Sequence, residues 1–133
     1  MVAVNQRELI ALDSNFLIAA RKPKSVADEL VQRWLRRACS FEISTIAWSE
    51  YLCGPVRPDE VALSRRLISQ IETFTERDAE LAAELFNKTG RRSRTHADCM
   101  IAAHAIRRGA VLATLNTRDF RHFEAFSLRL ASS

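Results

Sequence analysis

Apolar residues fall into two patterns along this chain, short unbroken runs and longer stretches at helical spacing, and the two alternate. Leu9, Ile10, Ala11 and Leu12 form the first run, with Asp13 directly after it. A short unbroken run of this kind is the mark of a strand covered on both faces. Asp13 or Ser14 then caps a helix through Phe16, Leu17 and Ile18, which stops before Pro23. Ser25 caps a second helix, whose Val26, Leu30, Val31, Trp34 and Leu35 share a face opposite Arg33, Arg36 and Arg37. Residues 41–44 predict a second strand, and a helix over residues 45–53 ends at Gly54-Pro55.

The alternation continues to the C-terminus. Pro58 or Asp59 opens a helix carrying Val61, Leu63, Leu67 and Ile68, and residues 71–74 predict a third strand. Thr75 and Asp78 have capping-box spacing ahead of Leu81, Ala82, Leu85 and Phe86, and Gly90 closes that helix. Apolar positions recur from Ala97 to Ile106, Gly109 supplies a stop, and Val111, Leu112 and Ala113 form a fourth buried run. A polar loop with Thr114, Asn116 and Asp119 follows, and residues 126–130 can add an edge strand. Strands alternating with helices predict an α/β fold with a parallel sheet. The 133 residues suit one domain, with no repeat, low-complexity segment or linker.

Composition adds a partner. The formal net charge is +4, and the basic residues are three lysines (Lys22, Lys24, Lys88) and seventeen arginines. Arginine's planar fork suits phosphate better than lysine's point charge does, so the balance leans towards an anionic partner. The three cysteines, Cys39, Cys53 and Cys99, include no CxxC and give neither a disulfide framework nor a zinc site. Cys53 and Cys99 lie in apolar helical stretches and read as small hydrophobes. No signal-like or membrane-length apolar run is present, and the expected location is the cytoplasm, away from any membrane.

The acids carry the candidate chemistry. In parallel α/β sheets ligands bind beyond the carboxyl ends of the strands, at a topological switch point. Asp13 ends the first strand, Asp119 lies past the fourth, Glu50 is on the helix after the second, and Asp98 opens the helix leading into the fourth. If the first and fourth strands are neighbours, all four converge on one crevice. Each also fits an ordinary role: Asp13 a helix N-cap, Asp98 a first-turn acid favoured by the helix dipole, Glu50 a solvated helix residue, Asp119 a turn residue. Clustered carboxylates must share protons or bind a cation, and hard oxygen donors suit Mg²⁺ or Mn²⁺. With an arginine-rich surface, that chemistry points to a metal-dependent nuclease. Arg91, Arg92 and Arg94, which lead into the Asp98 helix, are the candidate contacts to RNA phosphates.

Four pieces, LDSN (12–15), SE (49–50), DCMIAAHA (98–105) and LATLNTRDF (112–120), occur in an order and spacing that resemble PIN-domain ribonucleases of the VapC toxin type. The likeness runs from Leu9 to about Leu130. It implies a single PIN-like domain over residues 1–133, a three-layer α/β/α fold around a five-stranded parallel sheet. It implies Asp13 and Asp98 as principal metal ligands, with Glu50 and Asp119 completing the catalytic acids and Thr114 and Asn116 in support. It further implies endonucleolytic cleavage of RNA (tRNA, rRNA or mRNA), dimerisation and a cognate antitoxin protein.

Other readings fit less well. A haloacid-dehalogenase-type phosphatase needs Asp-x-Asp where Asp13-Ser14-Asn15 stands, a receiver domain wants a lysine after Lys88, and three glycines cannot build a P-loop. His96, His104 and His122 form neither HExxH nor a triad pattern, and Trp34 and Trp48 read as core or interface residues. The alternative from another class is a non-catalytic RNA- or protein-binding module on the same fold.

Overall fold

A computed structural model describes residues 1–92 and 95–132. Five strands, β1 (Leu9–Leu12), β2 (Ser40–Ser44), β3 (Gln70–Glu72), β4 (Val111–Ala113) and β5 (Arg129–Leu130), form one sheet in the order β3-β2-β1-β4-β5. Every neighbouring pair is parallel. The chain therefore steps one way from β1 to β3, crosses back, and lays β4 against the free edge of β1. That reversal is the switch point, and β1 and β4 flank it.

Among the described residues seven helices fill the connections: α1 (Ser14–Ala20), α2 (Val26–Arg36), α3 (Thr45–Cys53), α4 (Pro58–Leu67), α5 (Glu76–Lys88), α6 (His96–Arg108) and α7 (Thr117–Phe120), with a 3₁₀ turn at Arg121–Phe126. Successive strand residues point to opposite faces, so Phe41 and Glu42 look different ways. Trp34 of α2 lies 6.4 Å from Phe41 between ring centroids and 5.8 Å from Phe16 of α1. On the other face α6 presents His104 and Arg108 to Glu42. Helices thus cover both faces, and β1, β2 and β4 are almost wholly buried, as their apolar runs require.

Local chemistry explains where the helices begin and end. Ser25 Oγ accepts from the Asp28 N–H, and Thr75 and Asp78 exchange capping bonds at the start of α5. Gly109 closes α6 at φ +63°, a left-handed turn that side chains disfavour. The buried stripe of α6 is Cys99, Ile101, Ala102, Ala103 and Ala105, whose small residues let it lie close on its neighbours.

Some expectations shift. The third strand sits at Gln70–Glu72 rather than 71–74, and the last is two residues long because the 3₁₀ turn takes Phe126. Thr117–Phe120 winds into a helical turn where a loop was expected. Cys53 is exposed, since only Ala47, Trp48 and Tyr51 of α3 reach the core. His104 is 1% exposed. Among the described residues no helix is long and apolar enough to cross a membrane.

Glu42 is 1% exposed in the middle of β2, a costly place for a carboxylate without partners. His104 Nε2 lies 2.7 Å from its Oε2, and Arg108 reaches both oxygens at 2.9 and 3.0 Å. Burial alone would raise its pKa, but the bonds and charges of His104 and Arg108 outweigh burial and hold it below the usual carboxylate range. Asp78, also fully buried, is held low in the same way, with Arg107 as its principal partner. The last turn of α6 is thereby pinned to β2 and α5.

Candidate active site

Register brings the first two site residues together. Leu12 pairs with Ala113, so Asp13 and Thr114 leave their strands side by side. The Asp13 N–H extends the ladder to the Ala113 carbonyl at 3.0 Å. Thr114 Oγ1 donates to Asp13 Oδ2 at 2.7 Å, and the Ser14 N–H donates to Oδ1 at 2.9 Å. Asp13 is thus a helix N-cap and also a fixed, buried carboxylate at the switch point. The ordinary role and the candidate role coincide in one residue.

The exit of β4 is tied down from both sides. Asn15 Oδ1 accepts from the Leu115 N–H at 3.2 Å, and Thr114 Oγ1 accepts from the Asn116 N–H at 3.0 Å. The Asn116 carbonyl accepts from the Asp119 N–H at 2.9 Å, opening the turn that holds Asp119. Thr114 supports Asp13 through its side chain, whereas the hydrogen bonds of Asn116 run through its backbone. Asn15 was visible in the LDSN stretch, but only register reveals that it bridges two strand ends.

Asp98 occupies the first turn of α6, half-buried, and lines a cavity of about 340 Å³ with Arg92, Thr95 and Asp119. Burial first, and then the negative charges of Asp13, Asp119 and Glu50, together push its carboxyl up from an ordinary 3.8 to about 6. Glu50 rises too, through burial and then the charge of Asp13. Asp13 itself is raised by burial, partly offset by its bonds from Thr114 and Ser14. The four acids therefore share one field, although Glu50 and Asp119 stand in exposed positions. Arg91 and Arg92 are exposed at the entrance to α6, and Arg94 lies outside the described residues.

The contrast with the other buried acids is sharp. Glu42 and Asp78 are each neutralised by arginine, but none of the four site acids forms an ion pair among the described residues. Their donor set is all carboxylate oxygen, the chemistry of a hard divalent cation. Among the described residues no three acid, imidazole or thiol groups are drawn together tightly enough to enclose an ion. Asp98 and Asp119 line one cavity, and the charges of Asp13 and Glu50 also reach Asp98.

The raised Asp98 carries a stability consequence with a definite sign. Its folded pKa lies above its unfolded one, so the folded state holds the extra proton between about pH 4 and pH 6. In metal-free protein its contribution is most favourable below that window and is lost as pH rises through it. Asp98→Asn in chelator at pH 7.5 is expected to gain roughly 1 kcal/mol after discounting for solvent screening, a melting temperature higher by about 3–5 °C. That net figure already allows for the loss of a helix-end acid worth about 0.3–1 kcal/mol. Thermal melts in EDTA check it, and a lower melting temperature would return Asp98 to a plain dipole role.

Together the sheet order and the uncompensated acids define an α/β domain with an acidic centre at its switch point. The sequence model of the PIN domain matches residues 10–125, and the chain belongs to that family. No curated protein sequence is detectably similar to it. Among solved structures it resembles VapBC2 of Rickettsia felis bound to a promoter DNA fragment, at 20% identity and TM-score 0.72, covering 92% of this chain and 96% of that one. A toxin–antitoxin complex from Klebsiella pneumoniae is 25% identical, with TM-score 0.66 and coverage of 84% and 89%. VapC20 of Mycobacterium tuberculosis, described as a sarcin-ricin loop cleaving toxin, is 21% identical, with TM-score 0.55 and coverage of 76% and 84%.

Proposed function

We propose that this chain is a metal-dependent endoribonuclease and the toxin of a type II toxin–antitoxin pair, acting in the cytoplasm. The observation that carries the reading is the placement of Asp13 at the end of β1 and of Asp98 and Asp119 on one cavity beside it, where burial and then the charges of Asp13, Asp119 and Glu50 raise the Asp98 carboxyl. Membership of the PIN family and the likeness to toxin–antitoxin complexes support the same reading. The likeness to a toxin described as cleaving the sarcin-ricin loop supports RNA as the proposed substrate class. A homodimer held by a cognate antitoxin protein is the assembly proposed with it.

Asp13 and Asp98 are the residues to hold Mg²⁺, or Mn²⁺, with Glu50 and Asp119 completing the acidic wall. When bound there, such an ion supplies an activated water and neutralises charge on the leaving oxygen. The chain's own part is positional. Thr114 and the Ser14 N–H fix both oxygens of Asp13, so that carboxylate does not reorient during the reaction. Glu50 and Asp119, more exposed, are free to accept a proton from an incoming water or to orient it. The cavity between Arg92, Thr95, Asp98 and Asp119 leaves room for the phosphate being cleaved.

The test is to express the wild type and Asp98→Asn in bacterial cells and map RNA 5′ ends across the transcriptome. Discrete new ends in the wild type alone, reproduced by purified protein with Mg²⁺ and suppressed by EDTA, are the expected result. RNA binding without cleavage in Mg²⁺ or Mn²⁺ would replace the enzyme by a non-catalytic binding module on this fold.

The arginines leading into α6 carry a separate expectation. Replacing Arg91, Arg92 and Arg94 together by Ala should weaken RNA binding and flatten its salt dependence. The slope of log affinity against log salt should fall by up to about two units, at roughly 0.7 per single-strand phosphate contact. Fluorescence anisotropy of labelled RNA across a salt series measures this, and an unchanged slope would remove these residues from the interface.

A further inference from the structure

A second cavity adjoins the acidic one. It measures about 430 Å³ and is lined by Lys88, Thr89, Arg92, Thr95, His122 and Phe126. Arg92 and Thr95 also line the Asp98–Asp119 cavity, so the two form one depression. Its ends differ in sign. Acids stand at the switch point, Arg92 lies where the two cavities meet, and Lys88 brings positive charge to the far end, between the close of α5 and the 3₁₀ turn.

The far end also offers an aromatic surface. His122 is exposed, with its ring centroid 4.1 Å from that of Phe123, which is fully buried. The two planes are tilted by 45°, and contact with the buried ring restricts the outer one, which lowers the entropy lost when a third ring packs on it. Half-buried Phe126 lies beside it, with the Lys88 ammonium 6.0 Å from its centroid. The Lys88–Glu84 bond at 2.7 Å is solvent-exposed and so yields readily to a phosphate. Cationic groups beside stacking rings are how proteins hold single-stranded nucleic acid without reading its sequence. The volume lies in the range of small-molecule sites.

We infer that this cavity holds one nucleotide of the RNA strand next to the bond being cleaved, its base against His122 and its phosphate at Arg92 and Lys88. The inference rests on the ribonuclease reading and adds a direction to it. The strand runs from the acidic centre towards the 3₁₀ turn rather than towards α3. No sequence motif marks the subsite, because Lys88 and His122 belong to elements that meet only in the fold.

The test uses a synthetic oligoribonucleotide spanning the bond mapped in cells, with an abasic ribose placed on one or the other side of that bond. Wild type, His122→Ala and His122→Phe are compared with each substrate. At one of the two positions, loss of the base should raise KM for the wild type about tenfold, with a smaller effect on kcat. His122→Ala should show the raised KM on the intact substrate and less than about a twofold further effect of base loss, while His122→Phe behaves as wild type. Equal effects of base loss in wild type and His122→Ala, or none in wild type, would overturn the subsite and leave the ribonuclease standing. Failure of the wild type to cleave the intact oligonucleotide with Mg²⁺ would overturn both.

Discussion

Asp13→Asn and Asp98→Asn are expected to slow RNA cleavage by at least roughly a thousandfold, the loss of several kcal/mol of transition-state stabilisation. Asp13 has little freedom to be replaced by a neighbour, since Thr114 and the Ser14 N–H hold its two oxygens and the residue is 4% exposed. The asparagine amide oxygen can still accept from Ser14, so the cap on α1 survives and the fold with it. Glu50→Gln and Asp119→Asn should cost less, about tenfold to a hundredfold each, because both residues are exposed and water can stand in for them. The measurement is multiple-turnover cleavage of the mapped RNA at saturating Mg²⁺, with circular dichroism to show a native fold. Equal losses at all four positions would mean that the acids act as one inseparable unit, and full activity in Asp13→Asn would end the assignment.

The second large effect is on stability and lies away from the acids. Glu42→Ala should cost about 3–5 kcal/mol, because it strands His104 and part of Arg108 without their buried partner. Against a typical total of about 5–15 kcal/mol, that is a large share of the fold. Urea denaturation at pH 7 measures it, and a loss below about 1 kcal/mol would show that the network is dispensable. Replacing Glu42 and His104 together by Leu should recover much of the loss, since Arg108 is 34% exposed and can turn to water. The pH dependence follows from the lowered Glu42 pKa: its contribution is full above the unfolded value and drains away as pH falls through the folded one.

The sheet was legible where burial dictates composition. LIAL and VLA have no polar residue because both faces are covered, and Gly109 marks a turn that the backbone demands. The edges were less so: β3 is only half covered and β5 has two residues, so neither imposes a strong pattern. The acids could be placed on one edge of the sheet because α/β topology puts strand ends there, which required only that β1 and β4 be neighbours. Which of the four is rigid could not be read, since the Thr114–Asp13 bond depends on register between residues 101 apart.

Glu42 was passed over for a related reason. An acid within FEIS looks like a solvated strand residue until the strand is known to be buried on both faces. A fully covered strand then demands hydrogen-bonding partners opposite, and His104 and Arg108, four apart on one helix, supply them. Cys53 shows the converse error. Apolar neighbours made it look buried, but the inward face of α3 is set by Ala47, Trp48 and Tyr51.

The crossover from β3 to β4 has a consequence for synthesis on the ribosome. Asp13 and Glu50 emerge early, but β4 joins β1 only after α5 and α6 have been made. Until residues 111–114 leave the exit tunnel, Asp13 has neither its strand neighbour nor the Thr114 hydroxyl, and Asp119 is not yet available. An N-terminal fragment that ends before residue 111 therefore lacks β4, the Thr114 bond to Asp13, and Asp119. On the ribonuclease reading proposed above, the acidic centre is assembled only when β4 closes the sheet against β1, late in synthesis beside an RNA machine.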